Sequence, residues 1–152
     1  MNKKRLGLYA GSFNPFHIGH LDVVKQAQMV FDEVMVARGV NPEKSPSSVS
    51  PLPSEFLESM GVKVDSFGGL LSDFARGIER NTEYDVTLVR GLRSGADLDY
   101  EQNFAAFIKG MYPQVKIVAF YCDPKLRHIS SSSLRAIKTI AEEEYRKYVI
   151  CD

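Results

Sequence analysis

Two histidines three positions apart, His17 and His20, lie in the run Tyr-Ala-Gly-Ser-Phe-Asn-Pro-Phe-His-Ile-Gly-His-Leu-Asp that spans Tyr9 to Asp22. An apolar stretch, Leu6 to Ala10, precedes them, and a helix-like stretch follows. A strand, a tight polar turn and a helix start suit a phosphate. The first N–H groups of a helix are free, and its dipole is positive at that end. Gly11 permits a backbone turn beneath a ligand, and Ser12 offers a hydroxyl. Asn14-Pro15 sets a turn. Two imidazoles at this spot suggest that the phosphate is worked on as well as held. A histidine pair could ligate a metal, but no third ligand is near in sequence. Donation of hydrogen bonds to phosphate oxygens is the preferred reading. The blander one is a turn whose histidines only satisfy backbone groups.

Three other groups carry the same chemistry. Arg90-Gly91-Leu92-Arg93 pairs two guanidinium forks, which grip phosphate oxygens bidentately. Asp97, Asp99, Tyr100 and Glu101 follow closely, so a solvated arginine pair with local salt bridges is the competing reading. His128-Ile129-Ser130-Ser131-Ser132-Ser133-Leu134-Arg135 leads into a helix, where hydroxyls and early N–H groups can close on an anion. An ordinary N-cap with extra serines is the commoner use of such a run. Lys44, within Asn41 to Pro46, reads alone as a solvated loop lysine.

The elements around these groups alternate. Strands are expected at Leu6–Ala10, Val34–Ala37, Val62–Ser66, Asp85–Arg90 and Lys116–Tyr121. Helices are expected at Gly19–Phe31, Leu70–Ile78, Asp97–Met111 and Ser132–Tyr145, with one or two turns at Ser54–Met60. Gly39 to Pro53, with four prolines and several serines, reads as a loop. Alternating strands and helices imply right-handed βαβ units and a parallel sheet. The expected fold is therefore α/β, a Rossmann-like doubly wound sheet of five parallel strands in a single domain over residues 1–152. Ligands of such sheets bind beyond the carboxyl ends of the strands, where strand order reverses. Each polar group follows an expected strand, so all should gather at that edge.

Bulk properties exclude some classes. A chain of 152 residues with 44% hydrophobic and 25% charged residues suits one globular domain with a real core. Lys+Arg and Asp+Glu are both 19, giving zero formal net charge. That argues against a general nucleic-acid or membrane-surface binder. No apolar run reaches membrane-spanning length. Met1 to Arg5 is basic, but the apolar run behind it is too short for a signal peptide. Cys122 and Cys151 are the only cysteines. They form neither a disulfide framework nor a Cys-x-x-Cys pair, and a reducing cytoplasm is expected.

Taken together, the groups resemble the nucleotidyltransferase superfamily with a (T/H)-x-G-H signature, here His17-Ile18-Gly19-His20. The order of Tyr9–Asp22, Arg90–Glu101 and Ile129–Ser132 is most similar to the bacterial-type phosphopantetheine adenylyltransferases. That resemblance implies transfer of AMP from ATP to 4′-phosphopantetheine, giving dephospho-coenzyme A and pyrophosphate, with Mg2+. It implies catalytic roles for His20, Lys44 and Ser12. It implies an ATP site of Gly11, Ser12, His17, His20, Arg93, Glu101, Ser130, Ser131, Ser132 and Arg135, and an acceptor site of Ser12, Lys44 and Arg90. No residue is expected to ligate metal directly. Coenzyme A is a candidate feedback ligand, and the family is typically a homo-hexamer.

Two further readings stay open. Gly-Ser-Phe-Asn-Pro-Phe-His-x-Gly-His and Ile-Ser-Ser-Ser-Ser-Leu-Arg look more like the nicotinamide mononucleotide branch, so that acceptor is the main alternative. Asn14 also stands where the pantetheine branch usually has aspartate. Ser47–Met60 lacks the family's usual helix start, and Pro51 and Pro53 would break one. That change motivates the third reading, a catalytically silent nucleotide-binding module.

Overall fold

The computed structural model describes residues 3–45 and 48–152. Pro46 and Ser47, which fall in the expected serine–proline loop and at the start of Ser47–Met60, lie outside the described residues, as do the first two residues of the basic N-terminus. Five strands form one parallel sheet: β1 (Lys4–Gly11), β2 (Glu33–Gly39), β3 (Lys63–Phe67), β4 (Tyr84–Leu92) and β5 (Lys116–Tyr121). Their spatial order is β3-β2-β1-β4-β5. The chain winds outward from β1 to β3, then returns to place β4 on the other side of β1. The order therefore reverses between β1 and β4, as a doubly wound sheet requires.

Side-chain alternation along the strands divides the core between the two faces. On one face Tyr9, Val34, Val36 and Val89 pack with Val23, Val24 and Ala27 of α1 (Ile18–Val30) and Leu57 of α2 (Ser54–Ser59). On the other, Leu6, Leu8, Ala37, Val86 and Leu88 pack with Ala75 of α3 (Leu71–Asn81) and Ile108 of α4 (Gly95–Met111). Covering both faces is what lets the central strands be continuously apolar.

The expected helix Ser132–Tyr145 is corrected to two shorter ones, α5 (Ser131–Lys138) and α6 (Glu142–Arg146). A straight helix would carry Leu134 and Tyr145 about 16 Å apart at 1.5 Å per residue. The break at Thr139–Ala141 brings both into one apolar cluster with Ile129. Beyond α6 the chain crosses the histidine turn. Ile18 N–H donates to the Tyr148 carbonyl at 2.9 Å, and Ile150 N–H to the Phe16 carbonyl at 3.1 Å. His17 and Val149 thus form an antiparallel bridge. The proline-flanked Ser54–Ser59 does form a short helix, with Pro53 at its N-cap, a position outside the hydrogen-bonded interior that proline would disrupt.

Candidate active site

The carboxyl ends of β1, β4 and β5 open into one cleft of about 1340 Å³. Its wall includes Gly11, Ser12, His17, His20, Arg90, Arg93, Glu101, Ser130, Ser131, Ser132 and Arg135. Residues separated by more than a hundred positions in sequence thereby face one space. Lys44 is the exception. It sits on an exposed loop turn closed by its N–H to the Asn41 carbonyl at 3.1 Å, and it is not part of the wall.

The two histidines hold the start of α1. His17 is its N-cap, and its Nδ1 accepts the Gly19 N–H at 3.0 Å. His20 reaches back, its Nδ1 accepting the His17 N–H at 3.1 Å. This reciprocal arrangement is a capping box built from two imidazoles rather than the usual hydroxyl and carboxylate. A backbone N–H can only donate, so each Nδ1 must be the unprotonated nitrogen and each Nε2 must carry the proton. The rings stack with centroids 3.7 Å apart. Burial, followed by the charge of Arg93, pulls His17 down to about 4. Burial, then His17 and Arg93, holds His20 well below the ordinary histidine range. Both are neutral donors at neutral pH. The bland reading of the turn therefore holds for one nitrogen of each ring, and the chemical reading is left the other.

Gly19 makes this possible. A Cβ there would stand 2.9 Å from the His17 ring, so only glycine lets the ring fold over the helix start. Gly91 plays a similar part in the arginine segment: a Cβ would meet Val23 Cγ2 at 2.9 Å, pushing α1 away from β4.

The arginines are already engaged. Arg90 grips Glu101 with both edges of its fork, Nε to Oε2 at 2.7 Å and Nη2 to Oε1 at 2.9 Å, and donates to the Ala10 carbonyl at 3.2 Å. Its guanidinium also lies 4.2 Å from the Phe104 ring centroid. Arg93 pairs with Asp97 at 3.1 Å and donates to the Ile129 carbonyl at 2.9 Å. Local acids do hold both arginines, as the competing reading held, but at the cleft wall rather than in solvent.

The serine run divides its labour. Ser130 caps α5, accepting the Ser133 N–H at 3.1 Å, the ordinary use of such a residue. Ser131 donates to the Pro15 carbonyl at 3.0 Å, and Arg135 to the Asn14 carbonyl at 2.5 Å. These two bonds dock α5 onto the histidine turn. Ser132 lines the cleft and is exposed.

Two contributors lie outside the motif readings. Arg38, at the end of β2, spans the carbonyls of Ser12, Phe13 and Ser50. Tyr148 to Ile150 splint the turn from the C-terminal side. A lone arginine ending an apolar strand was the only available signal for the first, and none marked the second. Beyond the switch point the cleft continues between β3 and α4, where Phe67, Leu70, Leu71, Phe104, Phe107 and Met111 make an apolar arm.

Comparison with known proteins identifies the family. The cytidylyltransferase-like family model matches residues 8–137. A phosphopantetheine adenylyltransferase of Beijerinckia indica is 36% identical over 147 residues, covering 89% of this chain and 84% of the relative. One from Brucella anthropi is 37% identical over 145 residues, covering 89% and 85%. Among solved structures, the nicotinic acid mononucleotide adenylyltransferase of Plasmodium falciparum superposes with a TM-score of 0.64 at 14% identity, over 96% of this chain and 90% of that one. That likeness concerns the fold alone, whereas the family model and the sequence relatives each span most of the chain. The chain belongs to the cytidylyltransferase-like family and, within it, to the phosphopantetheine adenylyltransferases.

Proposed function

We propose that the cleft transfers AMP from ATP to 4′-phosphopantetheine. The carrying observation is the form of the cleft, with neutral imidazole donors at the switch point and an apolar arm beyond it. A pantetheine chain is long, thin and largely uncharged, and such an arm suits it better than it suits a second nucleotide. The sequence relatives carry the same activity in their names.

In this reading an oxygen of the acceptor's phosphate attacks the α-phosphorus of ATP in line. A new P–O–P bond forms as the bond from the α-phosphorus to the β-phosphate oxygen breaks, and pyrophosphate leaves with that electron pair. A phosphate monoester is mostly dianionic near neutral pH, so no general base is required. The residues instead align two polyanions and offset the charge that builds on the α-phosphate. The Nε2–H of His20 donates to the α-phosphate oxygens, with His17 beside it. Ser12 and Arg90 serve the incoming phosphate. Arg93, Arg135 and the Ser130–Ser132 segment serve the triphosphate. The family pattern assigns Lys44 to both substrates, but here it lies on an exposed loop off the wall.

Among the described residues no group of three or more His, Cys, Asp or Glu could hold a metal ion. The wall offers N–H and O–H donors, and Asp97 and Glu101 are occupied by arginines. This donor set fits magnesium that would arrive with ATP. When bound, it would supply charge neutralisation to the leaving pyrophosphate.

The test is pyrophosphate release with ATP and magnesium, comparing 4′-phosphopantetheine with nicotinamide mononucleotide. Release with the former alone is expected. Release only with the latter would move the chain to the alternative acceptor. ATP binding without release for either would leave a silent nucleotide-binding module.

A further inference from the structure

Arg38 belongs to none of the sequence motifs. By alternation it shares a strand face with Val34 and Val36, whose side chains are fully packed against α1 and α2. It ends that row at the carboxyl edge of β2, beside Gly11 of β1 in the sheet register. A half-buried cation at such a place loses hydration and needs partners. Among the described residues it forms no ion pair, and its three partners are all backbone carbonyls. Nε donates to Ser12 at 2.9 Å, one terminal nitrogen to Phe13 at 2.5 Å, and the other to Ser50 at 2.6 Å.

The choice of carbonyls is informative. Phe13 has φ of +48°, the left-handed region that a non-glycine side chain rarely adopts. Its carbonyl is one of those Arg38 holds. Its ring stands edge-on to His20, with centroids 4.9 Å apart, and to Tyr9 at 5.1 Å. Ser50 is tied from its other side too, its N–H donating to Asn14 Oδ1 at 2.9 Å. Both backbone groups of Ser50 are therefore fastened to the Ser12–Asn14 turn. Ser50 lies at the far end of the loop that carries Lys44.

We infer that Arg38 is a positioning residue for adenylyl transfer: its guanidinium clasps the Ser12–Phe13 turn to the Ser50 segment, and so sets the Phe13 ring and, through it, His20 against the reacting phosphates. The inference rests on the transferase reading above. Arg38 is not part of the cleft wall and acts through the Phe13 ring. The three bonds leave from three separate nitrogens of a planar fork, a spread that the single nitrogen of lysine does not reproduce.

The experiment compares wild type, Arg38→Met, which keeps the apolar stem, and Arg38→Lys, which keeps the charge. Steady-state kinetics and amide hydrogen exchange are measured on each. Arg38→Met should lower kcat by about 100-fold, the scale of a roughly 1 Å misplacement, while KM for ATP hardly moves. Exchange should quicken at Ser50 and along Ser12 to Asn14, with the sheet amides unchanged. Arg38→Lys should recover only part of kcat. Wild-type kcat in Arg38→Met overturns the inference, as does a fall in kcat without faster exchange at those amides. Should Arg38→Met fail to fold, full activity in Arg38→Lys overturns it. If wild type releases no pyrophosphate, the transferase reading fails, and the exchange comparison still decides whether the clasp exists.

Discussion

His17 and His20 cap the same helix with one nitrogen each, and their rings stack 3.7 Å apart with the other nitrogen free to donate. The proton of each ring is thereby assigned to Nε2 by the backbone. Stacked imidazoles at that distance could not both be charged without strong repulsion in a poorly solvated setting. The signature thus delivers two uncharged donors whose protonation state does not change near neutral pH.

His20→Ala should lower kcat far more than it weakens ATP binding. Loss of one donor used mainly in the transition state typically costs about 2.7–4 kcal/mol, or roughly 100- to 1000-fold. The same substitution removes a cap, so stability should also fall by about 1 kcal/mol. Kinetics compared with ATP binding by calorimetry checks this. Equal losses in binding and rate would deny His20 its role in the transition state.

Stability should depend on pH through His17. Its native value is about 4, against about 6.5 for an unfolded chain. Between these values the unfolded state binds the extra proton, so stability rises with pH across that window. Above about 6.5 the effect is absent; toward pH 4 it costs up to about 3 kcal/mol. His17→Asn keeps an N-cap residue and removes the titration. Urea unfolding of both proteins at pH 7 and pH 5 should show a shallower loss in the variant. An equal loss in both would mean that His17 is not neutral in the folded protein.

Most of this site was legible in the sequence because its parts are local. Leu6–Ala10 and Asp85–Arg90 announce central strands by composition. The strand–turn–helix order then forces their polar ends to one edge. Contacts between distant segments leave no such trace. The bond from Arg38 to Ser50, the bridge from Val149 to His17 and the docking of Arg135 on Asn14 each join stretches with no shared period. The split of the last helix was hidden for the same reason. Leu134, Ile137, Ala141 and Tyr145 satisfy a helical spacing, and only the packing of Tyr145 onto Ile129 and Leu134 decides against a continuous helix. Loop position is set by contacts rather than composition, so the sequence could not say that Lys44 would lie off the wall.

Arg90 and Glu101 should behave as one unit. The side chains are 17% and 14% exposed, so removing either leaves a poorly solvated charge behind. Glu101→Gln should cost about 3 kcal/mol, the scale of breaking a buried pair. The double variant Arg90→Met with Glu101→Gln should cost much less than the sum of the two single changes. A double-mutant cycle by denaturant unfolding measures this coupling. Additive losses would show that the pair is independent in solution. Three of the five Arg90 N–H groups are taken, so two remain for an incoming phosphate. Arg90→Ala should accordingly weaken the acceptor more than ATP.

Phe107 separates the acceptor readings. It lines the apolar arm of the cleft yet is 75% exposed, so its removal leaves the core intact. A pantetheine chain lying along the arm would cover the ring and bury part of its surface. Phe107→Ser should then raise KM for 4′-phosphopantetheine by roughly tenfold, equivalent to about 1.4 kcal/mol of lost apolar burial. KM for ATP should stay the same, because Phe107 stands about 15 Å along α4 from Asp97, the partner of Arg93. A compact acceptor confined to the phosphate end would not feel the change. An unaltered acceptor KM would therefore remove the arm from the site, and equal rises in both KM values would point to a general distortion of the cleft.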